Sequence, residues 1–224
     1  MSKESPRSEF PKLCPKVILE GTRLTHKTDL AFALNEHPRF VGPRRYRYHS
    51  PIVSAEWCGF TNHPWGRGLI NFNADEEERA LETYRTWMHL FELLRYYSWI
   101  VDRFHLSTQV YQYAARGVEY DFAWLEERLA GLGFRLILCT RAEGSFAAAR
   151  QARLAVSGNP GQYDDLGVFL REQEALRARA RRSQLPCLEV DVSNSDIPAA
   201  ADRIVAWLAA TGGLGEGESG KVGT

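Results

Sequence analysis

The sequence predicts an α/β fold, a three-layer αβα sandwich around a five-stranded parallel sheet with lid helices. Three observations carry that prediction. Short apolar runs at 16–20, 97–101, 134–139 and 186–191 alternate with longer segments of helical periodicity, the order that gives a parallel sheet covered on both faces. The length of 224 residues with 44% hydrophobic content suits one domain of this class. The first strand also passes through a glycine-led turn straight into a helix, the junction on which such sheets place ligands.

Taken in order, residues 1–12 are polar, carry Pro6 and Pro11, and form a loose arm ahead of one domain at 13–211. Lys16-Val17-Ile18-Leu19-Glu20 is a buried strand, and Lys27 and Thr28 open a helix that ends near Pro38. Arg39-Phe40-Val41-Gly42-Pro43 reads as a short second strand closing at Gly-Pro. The stretch 50–73 has no clean period but holds Glu56, Trp57, His63 and Trp65. Its tryptophans argue against disorder, so it is expected as a structured, aromatic-rich insertion that covers something.

Asn73 and Glu76 frame the start of a strong helix whose Leu81, Tyr84, Met88, Phe91 and Leu94 repeat at helical spacing. The strand at 97–101 ends in Asp102-Arg103, followed by helices at 105–116 and 120–131, the second stopped by Gly131 and Gly133. After the strand at 134–139, residues 141–157 are Ala- and Arg-rich and helical in propensity. Gly158-Asn159-Pro160-Gly161 breaks the chain before a charged helix at 162–182. The last strand at 186–191 leads to a helix capped by Ser195 or Asp196 with Pro198 in its first turn. From 212 to 224 a Gly-rich tail is expected to be disordered.

Charge and composition exclude several classes. Lys plus Arg equals Asp plus Glu at 28 each, so no net field draws the chain to nucleic acid or a membrane. No apolar run approaches the ~20 residues of a spanning helix, and no signal-peptide core is present. Cys14, Cys58, Cys139 and Cys187 form no C-x-x-C pair, and Cys139 and Cys187 lie on strand-like runs where thiols are usually buried. A reducing, cytoplasmic setting is the expectation. The six histidines show no ligand spacing for a metal, and no G-x-S-x-G marks a serine hydrolase.

The chemistry concentrates in Gly21-Thr22-Arg23-Leu24-Thr25-His26-Lys27-Thr28, the pattern G-x-x-x-x-H-K-T. It differs by one residue from the phosphate-binding loop G-x-x-x-x-G-K-[ST]. There, backbone N–H groups curl around phosphate at a helix N-terminus, the Lys adds a mobile cation, and the hydroxyl holds Mg²⁺. His26 replaces the second glycine, so the loop is expected to be strained, with an imidazole able to face the phosphates as an extra donor. The plain alternative is a strand–turn–helix with a surface lysine.

A second motif gives the loop its context. Val101-Asp102-Arg103-Phe104-His105-Leu106-Ser107-Thr108-Gln109-Val110-Tyr111-Gln112 resembles the signature of thymidylate kinases, in which Asp-Arg after a central strand leads to a Ser-rich turn and Tyr-Gln. The resemblance covers the element order from about 16 to 210. It implies a P-loop kinase fold, ATP and Mg²⁺ as cofactors, and transfer of the γ-phosphoryl group to a nucleoside, nucleotide or similar small acceptor. By position, Gly21 to Thr28 would cradle the donor phosphates, and Thr28 and Asp102 would hold the metal. Arg103 would bind acceptor or transferring phosphate, and Arg150 and Arg153 would close from a lid at 141–162 that begins with Arg141. Arg44 and Arg45 would stand where the family grips the acceptor, although the family's Glu is lacking there. Tyr111 and Gln112 would face the acceptor base. Trp57 and Trp65 would wall an unusual pocket, with Glu56 and His63 as candidate bases. A homodimer through the helix at 74–95, which carries Trp87, is implied by resemblance alone. The rival is a non-catalytic relative whose His26 loop binds nucleotide weakly and serves regulation or a partner. A P-loop transferase with another phosphate-bearing donor is a third reading.

Overall fold

The apolar runs form β1 (Lys16–Glu20), β3 (Trp99–Asp102), β4 (Arg135–Thr140) and β5 (Cys187–Asp191), joined by the short β2 (Ile52–Ser54). The computed structural model describes residues 13–42 and 51–215. Every neighbouring pair is parallel, in the order β2-β3-β1-β4-β5. All five residues of β1 are buried, because the sheet is covered on both faces. Strand alternation divides its side chains, with Ile18 entering one core and Val17 and Leu19 the other.

The Val17/Leu19 face is covered by α1 (Lys27–Glu36), α2 (Pro38–Val41) and α8 (Ile197–Ala210), through Leu30, Leu34, Phe40, Ile204 and Leu208. The Ile18 face is covered by α3 (Glu77–Leu93), α4 (His105–Arg116), α5 (Ala123–Gly131) and α7 (Leu166–Ala180). Its centre is aromatic: Tyr84 lies 4.9 Å from Phe104, and Trp87 stacks on Phe104 at 5.7 Å. Trp87 therefore faces inward rather than the dimer surface expected of it. A third small cluster of Phe146, Tyr163 and Phe169 joins α6 (Phe146–Leu154) to the start of α7.

The second strand is not where the sequence placed it. Residues 38–41 are one helical turn, because Pro38 needs no N–H partner at a first helical position and His37 accepts the Arg39 N–H at 3.2 Å. Gly42, at φ 67°, closes that turn with its N–H on the Pro38 carbonyl at 2.8 Å. The real second strand lies inside the expected insertion, where Ile52 pairs with Ile100 and Ser54 with Asp102. Arg44 and Arg45 lie outside the described residues. The strand they were expected to follow does not exist, and Glu56 holds the place just beyond β2.

The rest of the insertion is a tight hairpin-like fold. Phe60 N–H reaches the Arg67 carbonyl at 2.7 Å and Leu69 N–H the Cys58 carbonyl at 2.9 Å. A Cβ at Gly68 would sit 2.2 Å from the Cys58 oxygen, which is why that position is glycine. The charged helix begins at Leu166 rather than 162, since Pro160–Tyr163 is a 3₁₀ turn and Asp165 accepts the Gly167 N–H at 2.8 Å. Residues 212–215, expected as disordered tail, are fixed to the domain: Cys14 N–H meets the Leu214 carbonyl at 3.0 Å. The arm at 1–12 and residues 216–224 lie outside the described residues. Cys139 is buried, whereas Cys187 is exposed on the edge strand β5. No described helix is long and apolar enough to cross a membrane.

Candidate functional site

The site begins where β1 ends. Gly21 has φ 153°, and a Cβ there would stand 2.6 Å from the Cys139 carbonyl oxygen and 2.7 Å from Thr25 Oγ1. Only glycine lets the chain leave the sheet between β1 and β4. Leu24 (φ 66°) and His26 (φ 53°) then turn left-handed, and α1 starts with the Leu30 N–H on the His26 carbonyl at 2.9 Å. The backbone thus adopts, at His26, the geometry a phosphate loop ordinarily gives to glycine. The imidazole, expected to face the phosphates, instead lies between Asp29 and Ser195.

Lys27 is 7% exposed and its Nζ donates to the Thr22 carbonyl at 2.7 Å, folded back across its own loop. Thr28 Oγ1 donates to Asp102 Oδ2 at 2.8 Å, joining α1 to the end of β3. The other oxygen, Asp102 Oδ1, is buried and has no hydrogen-bond partner among the described residues. Burial pushes the Asp102 carboxyl above the usual range, more than Lys27 and the Thr28 hydroxyl pull it down. A buried carboxylate with one oxygen unpaired beside a hydroxyl fits a divalent cation. Among the described residues no three of His, Cys, Asp and Glu stand together as a metal cage. Thr28, Asp102 and ligand oxygens would have to hold it, as Mg²⁺ prefers.

Arg103 also has a left-handed backbone, φ 60°, and its side chain is 5% exposed. Its guanidinium reaches Glu172 Oε1 at 2.6 Å, Ser107 Oγ at 2.9 Å and Glu56 Oε2 at 3.9 Å. Although burial opposes the charged form, Glu172, Glu56 and Glu20 raise its pKa further, so it is always a cation here. Beneath it, fully buried Glu20 accepts the N–H groups of Phe104, Leu106 and Ser107 at 3.0, 3.1 and 3.3 Å. A carboxylate at the N-terminus of α4 satisfies otherwise unpaired donors and fixes the Asp102-Arg103 turn against β1.

Glu56, just past β2, completes the ring. Its Oε1 is 3.3 Å from Arg23 Nη1. Desolvation would raise its carboxyl, but Arg103, Lys27, Arg23 and Arg153 outweigh it and hold the group below the usual range. From α7, Glu172 also accepts the Thr22 hydroxyl, so one carboxylate touches both motifs.

The two arginines expected in a lid divide. Arg153 adds to the positive field on Glu56 and donates to Tyr163 Oη at 3.3 Å. Arg150 is turned onto its own segment, to the Tyr163 carbonyl at 2.8 Å and Asp164 at 3.2 Å. Gln162 accepts from Arg23 at 2.5 Å, bringing the segment before α7 against the loop. Trp57 and Trp65 are 72% and 56% exposed with ring centroids 6.2 Å apart. A Cβ on Gly158 would stand 3.3 Å from Trp65 Cζ2, so the pair borders the segment between α6 and α7.

Tyr111 and Gln112 do not join this group. Gln112 is fully buried, its amide donating to the Ile70 and Phe72 carbonyls, both at 3.0 Å, and Tyr111 lies on the solvent side of α4. Sequence reasoning missed Glu172, which is one acid among many in a charged helix and carries no local signal. It also passed over Glu20, although an acid closing an apolar strand just before a glycine was a readable sign.

No family model matches the chain, and no curated protein matches it. Solved structures do. The YorR protein from Bacillus subtilis, in complex with phosphorylated GDP, is 15% identical, with 88% of this chain and 97% of that one covered at a TM-score of 0.57. An unliganded sugar kinase from Janibacter sp. is 10% identical, with 88% and 95% covered at 0.53. Deoxyadenosine kinase from M. mycoides with bound dCTP is 12% identical, with 87% and 99% covered at 0.48. The likeness to the first two shows the fold and nothing beyond it.

Proposed function

We propose that the chain is a kinase that moves the γ-phosphoryl group of ATP to a hydroxyl of a nucleoside or nucleotide-like small molecule, with Mg²⁺. The observation that carries this reading is the meeting of Lys27, the Thr28–Asp102 pair, Arg103 and Glu56 at the carboxyl ends of β1, β2 and β3. Backbone N–H groups from Gly21, Thr22, Arg23, Leu24, Thr25 and His26 through Thr28 would cradle the donor phosphates. Lys27, now on the Thr22 carbonyl, would reach their outer oxygens, and Thr28 and Asp102 would hold the metal. Bound there, Mg²⁺ would neutralise charge on the donor phosphates. Arg103 and Arg153 face the transferring group from the acceptor and lid sides.

Glu56 is the base in this reading. Its ionised carboxylate takes the acceptor's hydroxyl proton as the new O–P bond forms and the bond to the leaving nucleoside diphosphate breaks. A hydroxyl acceptor suits the local charge: Glu56, Asp102 and Glu172 surround Arg103, and that cation is already paired. Trp57 and Trp65 supply flat apolar surface for a ring at the pocket mouth. Where thymidylate kinases grip the acceptor with Arg, this chain presents Glu56, so thymidylate itself is not the acceptor proposed. The homodimer implied by resemblance would use the outer end of α3, where Leu90, Leu93 and Leu94 are exposed.

The test is an acceptor panel of nucleosides and their 5′-monophosphates with labelled ATP, run on wild type and Glu56→Gln. We expect transfer to nucleosides, cut about 10²–10⁴-fold in the variant without loss of ATP binding. Undiminished turnover in Glu56→Gln would remove Glu56 from the role of base.

A further inference from the structure

The residue that breaks the phosphate-loop pattern makes the most specific contacts of that loop. His26 Nδ1 stands 2.8 Å from Asp29 Oδ2 and Nε2 stands 3.0 Å from Ser195 Oγ. A carboxylate only accepts, so Nδ1 carries the proton toward Asp29, while Nε2 and the Ser195 hydroxyl share the second hydrogen bond. Ser195 lies in the segment between β5 and α8 and is itself left-handed, φ 57°.

Arg141, after β4 and 2% exposed, ties the same two segments a second time. Its Nε donates to the Leu24 carbonyl at 2.9 Å, Nη1 to the Ser193 carbonyl at 3.2 Å and Nη2 to Ser195 Oγ at 3.3 Å. The left-handed residues Leu24, His26 and Ser195 therefore share one hydrogen-bonded unit. Strained backbone persists where surrounding contacts over-determine it. The sheet order says which half of the site this unit borders. Glu56, Asp102 and Arg103 occupy the β2–β3 side, so a donor whose phosphates lie over β1 extends its nucleoside toward β4 and β5.

We propose that His26 is a positioning residue of the donor site, fastening the phosphate loop to the β5–α8 segment so that the N–H cradle is preset before nucleotide arrives. The inference rests on the reading of the Lys27 loop as a donor site. On this account the departure from glycine exchanges backbone freedom for a side-chain lock. The lock should act on donor binding, because its bonds join the loop to α1 and to the β5–α8 segment.

Glycine substitutions separate the lock from the strain. His26→Gly and Ser195→Gly each relax a left-handed residue while removing one end of the bond. Calorimetric binding of Mg·ATP to wild type, both variants and the double variant is the experiment, with thermal melting as the folding control. Each single variant should weaken donor binding about tenfold, and the double variant should be no weaker than either. Donor KM should rise while acceptor KM and kcat hold, and the melting temperature should not fall. Equal or tighter binding in both single variants, or additive losses in the double variant, would overturn the proposal. No binding to the wild type itself would overturn the donor-site reading and this proposal together.

Discussion

Asp102 ends β3 and Glu56 follows the neighbouring β2, with the Ala55 N–H on the Asp102 carbonyl at 3.1 Å, yet their side chains are pushed in opposite directions. Burial raises Asp102 above its ordinary value of 3.8, while four cations hold Glu56 below 4.5 against its own desolvation. The proposed metal site needs Asp102 ionised, so Mg²⁺ affinity should fall as pH drops through a range above that of an exposed aspartate. The acid limb of kcat/KM should therefore move to lower pH as Mg²⁺ is raised, and Asp102→Asn should abolish the Mg²⁺ dependence. An acid limb indifferent to Mg²⁺ would assign it to another group. In the metal-free protein the sign for stability is the reverse: a raised carboxyl contributes below its unfolded value and loses that contribution as pH rises through the folded one.

At the scale of the element, the strand–loop–helix unit depends on one close approach. Gly21→Ala would drive a methyl group to 2.6 Å from a backbone oxygen that cannot retreat without breaking β4 from β1. We expect a loss of roughly 1–3 kcal/mol in urea unfolding together with weakened nucleotide binding. A stability within error of wild type would show that the loop can leave the sheet another way. This unit was legible in the sequence because an apolar run, a glycine and a helix start follow one another without a gap. β2 was not. Three half-buried residues are too short for any alternation, and Pro38, which looks like a stop, begins a helical turn instead. The expected strand at 39–43 put Arg44 and Arg45 at a strand end, whereas the second strand in the fold is followed by Glu56.

Across the whole molecule, the site draws on the loop, β2, β3, α1 and α7, and contacts between Thr22 and Glu172 span 150 positions. Local motifs show the ends of such a network but not residues supplied from mid-helix, so Asp102 and Arg103 could be read and Glu172 could not. The same holds for a second buried network behind the site. Glu126 accepts from His105 at 2.9 Å, Ser183 Oγ at 2.7 Å and the Gln184 N–H at 2.8 Å, binding α4, α5 and the approach to β5. Desolvation opposes its charge, but these bonds prevail and lower the carboxyl. A lowered value stabilises above the unfolded pKa and is lost as pH falls through the folded one. Wild type should lose stability as pH drops below the glutamate range. Glu126→Gln should start roughly 1–3 kcal/mol lower at neutral pH and lose less on acidification. Parallel curves for the two proteins would contradict that assignment.

Phosphoryl transfer through the Lys27 loop is the central proposal, and its most direct measurement is transfer from γ-labelled ATP with Mg²⁺ to a nucleoside panel. Wild type should label at least one nucleoside. Lys27→Ala, folded by circular dichroism and thermal melting, should lose transfer by at least about a hundredfold. Full transfer in Lys27→Ala, or none in wild type with every acceptor at millimolar ATP, would contradict it.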